Sequence, residues 1–299
     1  MSEQSRSASA VPSTGGPTVA FRALDTVWIQ VTGTLCNIAC RHCFVNAGPK
    51  SASIPMMTRP QVEAALDEAL ALGARDAYYT GGEPFLHPEF RDLVDLALER
   101  MPLSVLTNAL LIDEGAAEWI GGRFRGSRYS FDLRVSLDGM TAEQNDRVRG
   151  KGVYANVLAA LARLARAGVT PVVTVVEHEE GLKAADARVA FTEFLRGLGF
   201  SRPRVKFLPL LRMGREERRT RGYLERERLD PAPLAPEIED TLICASSRTV
   251  TAGGAYTCPI LVERADARLG NTLREAARDI NLDWRACHTC VAEGLRCAT

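Results

Sequence analysis

Between residues 25 and 214 the chain switches from a strand-like to a helix-like hydrophobic period again and again. Short runs rich in β-branched and aromatic residues stand at 28–33 (WIQVTG), 76–82 (DAYYTGG), 103–109 (LSVLTNA), 133–139 (LRVSLDG), 170–177 (TPVVTVVE) and 204–211 (RVKFLPLL). Amphipathic stretches lie between them at 59–73, 89–101, 115–123, 153–168 and 187–199. The first of these carries its own boundary signals, with Thr58 as N-cap, Pro60 in the first turn and Gly73 at the end. Six strand–helix units in series predict an α/β fold, a parallel sheet with helices outside in a partial or closed barrel. In such folds the working residues gather at the carboxyl ends of the strands.

Composition narrows the function classes. Lys plus Arg and Asp plus Glu both number 37, and a chain without basic excess is not expected to bind nucleic acid. No eighteen-residue apolar run predicts a membrane span, and the N-terminus has no apolar signal core. A cytoplasmic location is therefore expected. In that setting the eight cysteines read as metal ligands or reactive groups rather than as a disulfide framework.

Cys36, Cys40 and Cys43 follow the first strand within CNIACRHCF. Thiolates this close on one loop suit a soft metal or an iron–sulfur cluster. Three of them leave one position of a cubane open, as a catalytic centre requires, whereas a structural site closes every position. Zinc is the plainer alternative, but it calls for a fourth ligand, and His42 is squeezed between two of the cysteines.

This CxxxCxxC loop resembles the signature of the radical S-adenosylmethionine (SAM) superfamily, and the likeness continues in order along residues 25–214. Thr80-Gly81-Gly82-Glu83-Pro84 is similar to the family's GGEP segment, which holds the methionine amino group. Glycines allow close backbone approach, and a carboxylate pairs with an ammonium. Thr107-Asn108-Ala109 stands where relatives often carry TNG; Ser136, in Ser136-Leu137-Asp138-Gly139, matches a serine that reaches the ribose; Arg149 matches an arginine near the SAM carboxylate. His42 departs from the pattern, because relatives usually place an aromatic or aliphatic residue there to pack on adenine; an imidazole can also stack. The resemblance implies a 4Fe–4S cluster on Cys36, Cys40 and Cys43 and SAM held by Gly81, Gly82, Glu83, Asn108, Ser136 and Arg149. It also implies reductive SAM cleavage to a 5′-deoxyadenosyl radical that takes a hydrogen atom from an unactivated carbon. An electron donor such as flavodoxin or ferredoxin is the implied partner.

After residue 214 the pattern changes to a charged and then proline-rich stretch, which reads as a solvated connection. SSRTVTAGGAYTCPIL then reads as a β-hairpin turning at Gly253–Gly254, and NTLREAARD as a short helix. Five further cysteines, Cys244, Cys258, Cys287, Cys290 and Cys297, resemble the twitch/SPASM extension that carries auxiliary clusters. That likeness implies a second 4Fe–4S cluster on Cys244, Cys258, Cys287 and Cys290, leaving Cys297 spare; zinc is again the plainer alternative. The expected organisation is thus a disordered segment at 1–24, a radical SAM core at 25–214, a linker at 215–243 and a small cysteine-rich auxiliary-cluster domain at 244–299.

Glu177 ends the fifth strand at the barrel mouth and is the residue best placed to touch a substrate, while Glu179 and Glu180 read as solvated, and His87 and His288 as structural. About 24 residues precede the first strand, too few for a separately folded peptide-gripping module. The expected substrate is therefore a small molecule, sugar-like or an aminoglycoside, as in related antibiotic-biosynthesis enzymes. With one thiol beyond the seven that two clusters use, Cys297 becomes a hydrogen-atom donor and the expected reaction an epimerisation. The alternatives are dehydrogenation, with the auxiliary cluster as electron acceptor, and modification of a peptide.

Overall fold

The computed structural model describes residues 15–184 and 186–294. Six parallel strands form its centre: β2 (Thr26–Gln30), β3 (Asp76–Thr80), β4 (Leu103–Thr107), β5 (Phe131–Ser136), β6 (Val172–Val176) and β7 (Arg204–Leu208). A short strand, β1 (Thr18–Val19), precedes them. Between the parallel strands run α1 (Arg59–Ala71), α2 (Phe90–Leu98), α3 (Glu114–Gly126), α4 (Ala142–Arg149), α5 (Val153–Arg166), α6 (Glu180–Lys183) and α7 (Ala187–Gly197). The six expected strands and five expected helices are all present, with ends differing by a few residues. Of these seven helices, only α4 and the short α6 lack a counterpart among the expected elements.

Alternation along the strands explains the layering. Val27 and Ile29, Ala77 and Tyr79, Leu103 and Val105, Leu133 and Val135, and Val173 and Val175 all bury into one core. The helices supply the other half, for example Val62, Leu66 and Ala69 of α1 and Val157, Leu161 and Leu164 of α5. The opposite face of the sheet carries the intervening residues, among them Trp28, stacked on Tyr78 at 4.3 Å, and the buried Arg134, whose Nη2 donates to Tyr78 Oη at 2.8 Å.

The C-terminal part does not stand apart from this sheet. β8 (Ser247–Thr251) pairs in parallel with β2, and β9 (Gly254–Tyr256) and β10 (Arg268–Gly270) continue the sheet antiparallel. The strand order is β10-β9-β8-β2-β3-β4-β5-β6-β7, an open sheet with β10 and β7 at its edges. The hairpin turn falls at Ala252–Gly253, one residue earlier than expected, because Thr251 pairs with Gly254. The expected helix at 271–279 shortens to a single turn over Leu273–Ala276.

Two boundary expectations need correction. Residues 15–24 are ordered within the expected disordered lead-in: β1 pairs with β11 (Ile280–Asn281), Val19 is fully buried, and Leu24 joins the core. Phe21 also packs against the core, so the segment is held by apolar contacts along its length. The linker is also not simply solvated. It begins with α8 (Arg215–Thr220), in which Glu216 is fully buried and ion-paired with Arg219 at 2.8 Å.

Candidate functional site

The loop after β2 is pinned from several sides. Cys36 N–H donates to Gly48 O at 3.2 Å, and Arg41 N–H to Val148 O at 2.7 Å. Arg215, the first residue of α8, clamps it from outside: its N–H donates to Cys43 O at 3.0 Å, its Nε to Cys40 O at 2.7 Å and its Nη2 to Ala47 O. Cys36 and Cys40 are buried and Cys43 half-buried. Burial pushes the Cys36 thiol up to about 12, with Glu83, Cys40 and Cys43 adding to the effect. Such thiols ionise when a metal centre takes the place of the proton.

Gly81 and Gly82, after β3, are obligatory for a reason the sequence did not show. Gly81 has φ of 141°, and a Cβ on Gly82 would run into the Leu35 carbonyl and Cys36 Cβ. Their close approach is to the cysteine loop itself. Glu83, next in the chain, is almost wholly buried. Its Oε1 accepts from Thr107 Oγ1 at 2.8 Å and Phe85 N–H at 3.2 Å, and its Oε2 from Asn108 N–H at 2.8 Å. Burial pushes its carboxyl up to about 7 despite these three donors. Oε2 retains acceptor capacity.

Asn108 follows β4 and turns its Nδ2 towards Cys36 Sγ, 3.7 Å away, and Asn37 Oδ1, 2.7 Å away. Ala109 beside it holds φ of 63°, which explains why relatives place glycine there. Ser136 is half-buried at the end of β5. Glu177, just past β6, is ion-paired with Arg188 at 3.6 Å. A substrate group would have to compete with that arginine.

The centre of the site is a residue that the sequence reading quoted without giving it a role. Asp138, two positions past Ser136, is fully buried. Its Oδ2 lies 2.7 Å from His42 Nε2 and 2.7 Å from Arg149 Nε, and its Oδ1 accepts from Val176 N–H at 2.7 Å. Burial alone would raise this carboxyl, but Arg149 and His42 hold it below the carboxylate range. Arg149 Nη1 in turn lies 3.9 Å from Cys40 Sγ. His42 is thus oriented by a buried carboxylate, its Nε2 carrying the proton and its buried Nδ1 without a hydrogen-bond partner among the described residues. The available signal was a lone acid at the carboxyl end of a strand. Arg215 was missed because its charge run read as solvent-facing.

The four C-terminal cysteines assigned together are close in space. Cys244 and Cys287 share a cluster with Leu242, Ile280 and Leu282, while Cys258 lies in the adjoining one with Leu261 and Ala286. Cys290, on α11 (Cys287–Ala292), packs against both clusters; α9 (Pro236–Glu239) and α10 (Leu273–Ala276) are the short helices before it. Burial raises the Cys287 thiol well above its ordinary value, with Cys258, Cys290 and Cys244 each adding. Cys297 lies outside the described residues. No three Cys, His, Asp or Glu side chains among the described residues converge as ligands of one metal ion.

Residues 31–178 match the model of the radical SAM superfamily. Mycofactocin maturase MftC of Mycobacterium ulcerans (strain Agy99) is 35% identical over 150 residues, which is 49% of this chain and 39% of that protein. The antilisterial bacteriocin subtilosin biosynthesis protein AlbA of Bacillus subtilis (strain 168) is 26% identical over 136 residues, 45% of this chain and 29% of that protein. The chain thus spans less than half the length of these curated relatives. Among solved structures, anSMEcpe with bound AdoMet superposes with a TM-score of 0.61 at 17% identity, covering 84% of this chain and 79% of that one. Streptococcus suis SuiB bound to precursor peptide SuiA gives a TM-score of 0.61 at 15% identity, covering 83% and 62%. These likenesses show the radical SAM α/β fold, and the family implies a 4Fe–4S cluster and SAM. The residues present fit that pair: three thiols on one clamped loop, glycines locking that loop to β3, and a buried carboxylate beside it.

Proposed function

We propose that this chain is a radical SAM enzyme that modifies a peptide. The observation that carries the peptide reading is the 35% identity to a maturase, supported by the fold shared with SuiB, whose structure holds a precursor peptide. Sugars and aminoglycosides appear in none of the relatives named above, so the epimerase expectation is left without support.

Cys36, Cys40 and Cys43 would hold three irons and leave the fourth open. When bound, the reduced cluster and SAM together supply the radical that takes a hydrogen atom from an unactivated carbon. The chain's part is position and exclusion of water. Glu83 would accept the methionine ammonium on Oε2, and Asn108 and Arg149, each already touching a cysteine sulfur, would keep the cluster loop and ligand site in register. Ser136 would face the ribose, and Asp138 holds His42 in one orientation beside the third cysteine. Cys244, Cys258, Cys287 and Cys290 would carry an auxiliary 4Fe–4S cluster, with a flavodoxin or ferredoxin as reductant.

The test is anaerobic turnover with SAM and reductant against two panels: peptides encoded by short reading frames beside the gene, and aminoglycosides. The reading expects a peptide whose mass changes while 5′-deoxyadenosine accumulates. Turnover of an aminoglycoside, with every peptide unchanged, would refute it.

A further inference from the structure

Arg248 of β8 is fully buried and heads the largest fully buried side chains among the described residues. Val250, two positions on, enters the main core, and alternation puts Arg248 on the same side of the strand. Its Nη1 donates to Cys244 O and Ser247 O, both at 2.6 Å, its Nε to Ala276 O at 2.8 Å and its Nη2 to Arg278 O at 2.6 Å. Its guanidinium lies over the Phe21 ring, 4.2 Å from the centroid. Every one of these hydrogen-bond partners is a backbone carbonyl. The fork is therefore satisfied in hydrogen bonds but not in charge, and an uncompensated buried cation is costly.

The charged groups around it offset this only in part: Asp279 is a carboxylate within electrostatic range, also accepting from Phe21 N–H at 2.8 Å, and Arg278 is a like charge. The guanidinium also interacts electrostatically with the Cys244 and Cys258 side chains. The cation thus lies beside two of the four cysteines, bonded to the backbone of one of them.

We propose that Arg248 is the fixed countercharge of an anionic iron–sulfur cluster held by Cys244, Cys258, Cys287 and Cys290, and that it raises that cluster's reduction potential. The inference rests on the auxiliary-cluster reading. Four thiolates outweigh the positive charge of an oxidised cubane core, so the ligated cluster is an anion that also compensates the arginine. One electron taken from a reductant makes the cluster more negative, and a nearby cation stabilises that reduced form. Net charge and surroundings are among the factors that set such potentials.

The experiment uses the full chain reconstituted anaerobically as wild type, Arg248→Met and Arg248→Lys. Iron is counted, and the clusters are titrated with dithionite under EPR, the signal that changes on adding SAM being assigned to the N-terminal cluster. The proposal expects about eight irons in wild type. It expects the SAM-insensitive signal to keep its midpoint in Arg248→Lys. In Arg248→Met that midpoint shifts downward, or the second set of irons is lost. An unchanged midpoint in Arg248→Met, or equal loss of iron in both variants, would overturn it, since the side chain would then act through its fork geometry alone. About four irons in wild type would remove the auxiliary cluster itself, a failure distinct from that of the charge role.

Discussion

At Asp138 one carboxylate meets an imidazole, a guanidinium and a backbone N–H, all within 2.7 Å. Replacing it by Asn would leave Arg149 as an uncompensated buried cation. Breaking a buried pair in this way costs about 3–5 kcal/mol. Asp138→Asn should lower stability by that amount in urea unfolding; a loss below 1 kcal/mol would contradict the hub role. Glu83 gives a prediction in pH. Its carboxyl sits at about 7 in the folded chain against an ordinary 4.5, so folding favours the protonated form. Its favourable contribution is full below the unfolded value and is lost as pH rises towards 7. The loss amounts to about 3 kcal/mol. The stability difference between wild type and Glu83→Gln, both free of SAM, should therefore change by most of that amount between pH 5 and pH 8. An ammonium ligand reverses the preference. SAM binding by wild type should weaken as pH falls below 7, and Glu83→Gln should weaken it by about 2–5 kcal/mol above pH 7, a difference that shrinks as pH falls. Equal SAM affinity in calorimetry would exclude the ammonium contact.

The strands and helices were legible because each carries its own period: Val27 and Ile29 alternate with Trp28 and Gln30, and α5 repeats its buried residues at helical spacing. The pairing of β8 with β2 was not legible, since no local pattern names a partner more than 200 residues away. The same applies within the site. His42 and Asp138 are 96 residues apart, and Arg215 reaches back 175 residues to Cys40. What the motif did reveal was the order of the pieces along the chain, because each piece sits at the end of a strand. Glycines show both sides of this. Gly82→Ala should disrupt the packing of the β3 end on the cysteine loop and lower iron retention after reconstitution, because the methyl group meets backbone that cannot yield. Ala109→Gly should do the opposite, raising stability by about 1 kcal/mol by relieving a left-handed φ. A destabilised Ala109→Gly, measured by thermal unfolding, would mean that the turn is held by something other than backbone strain.

In the whole molecule, the two cysteine groups meet the nine-stranded sheet differently. The first lies on the loop after β2; of the second, Cys244 just precedes β8, the parallel neighbour of β2, and Cys258 just follows β9, whereas Cys287 and Cys290 lie on α11. Arg215 ties the start of the connecting segment to the first group, and Tyr223, in the same segment, exchanges a hydrogen bond with Thr289 of α11 at 2.7 Å. The segment that reads as a solvated connection therefore links the surroundings of the two groups. The account depends first on the cluster at Cys36, Cys40 and Cys43. The most direct measurement is 5′-deoxyadenosine formation from SAM with dithionite, under anaerobic conditions, in wild type and in the variant with all three cysteines changed to Ala. Wild type should form it and the triple variant should not, while the variant keeps the irons bound to its C-terminal cysteines. SAM cleavage undiminished in the triple variant would contradict the account at its centre.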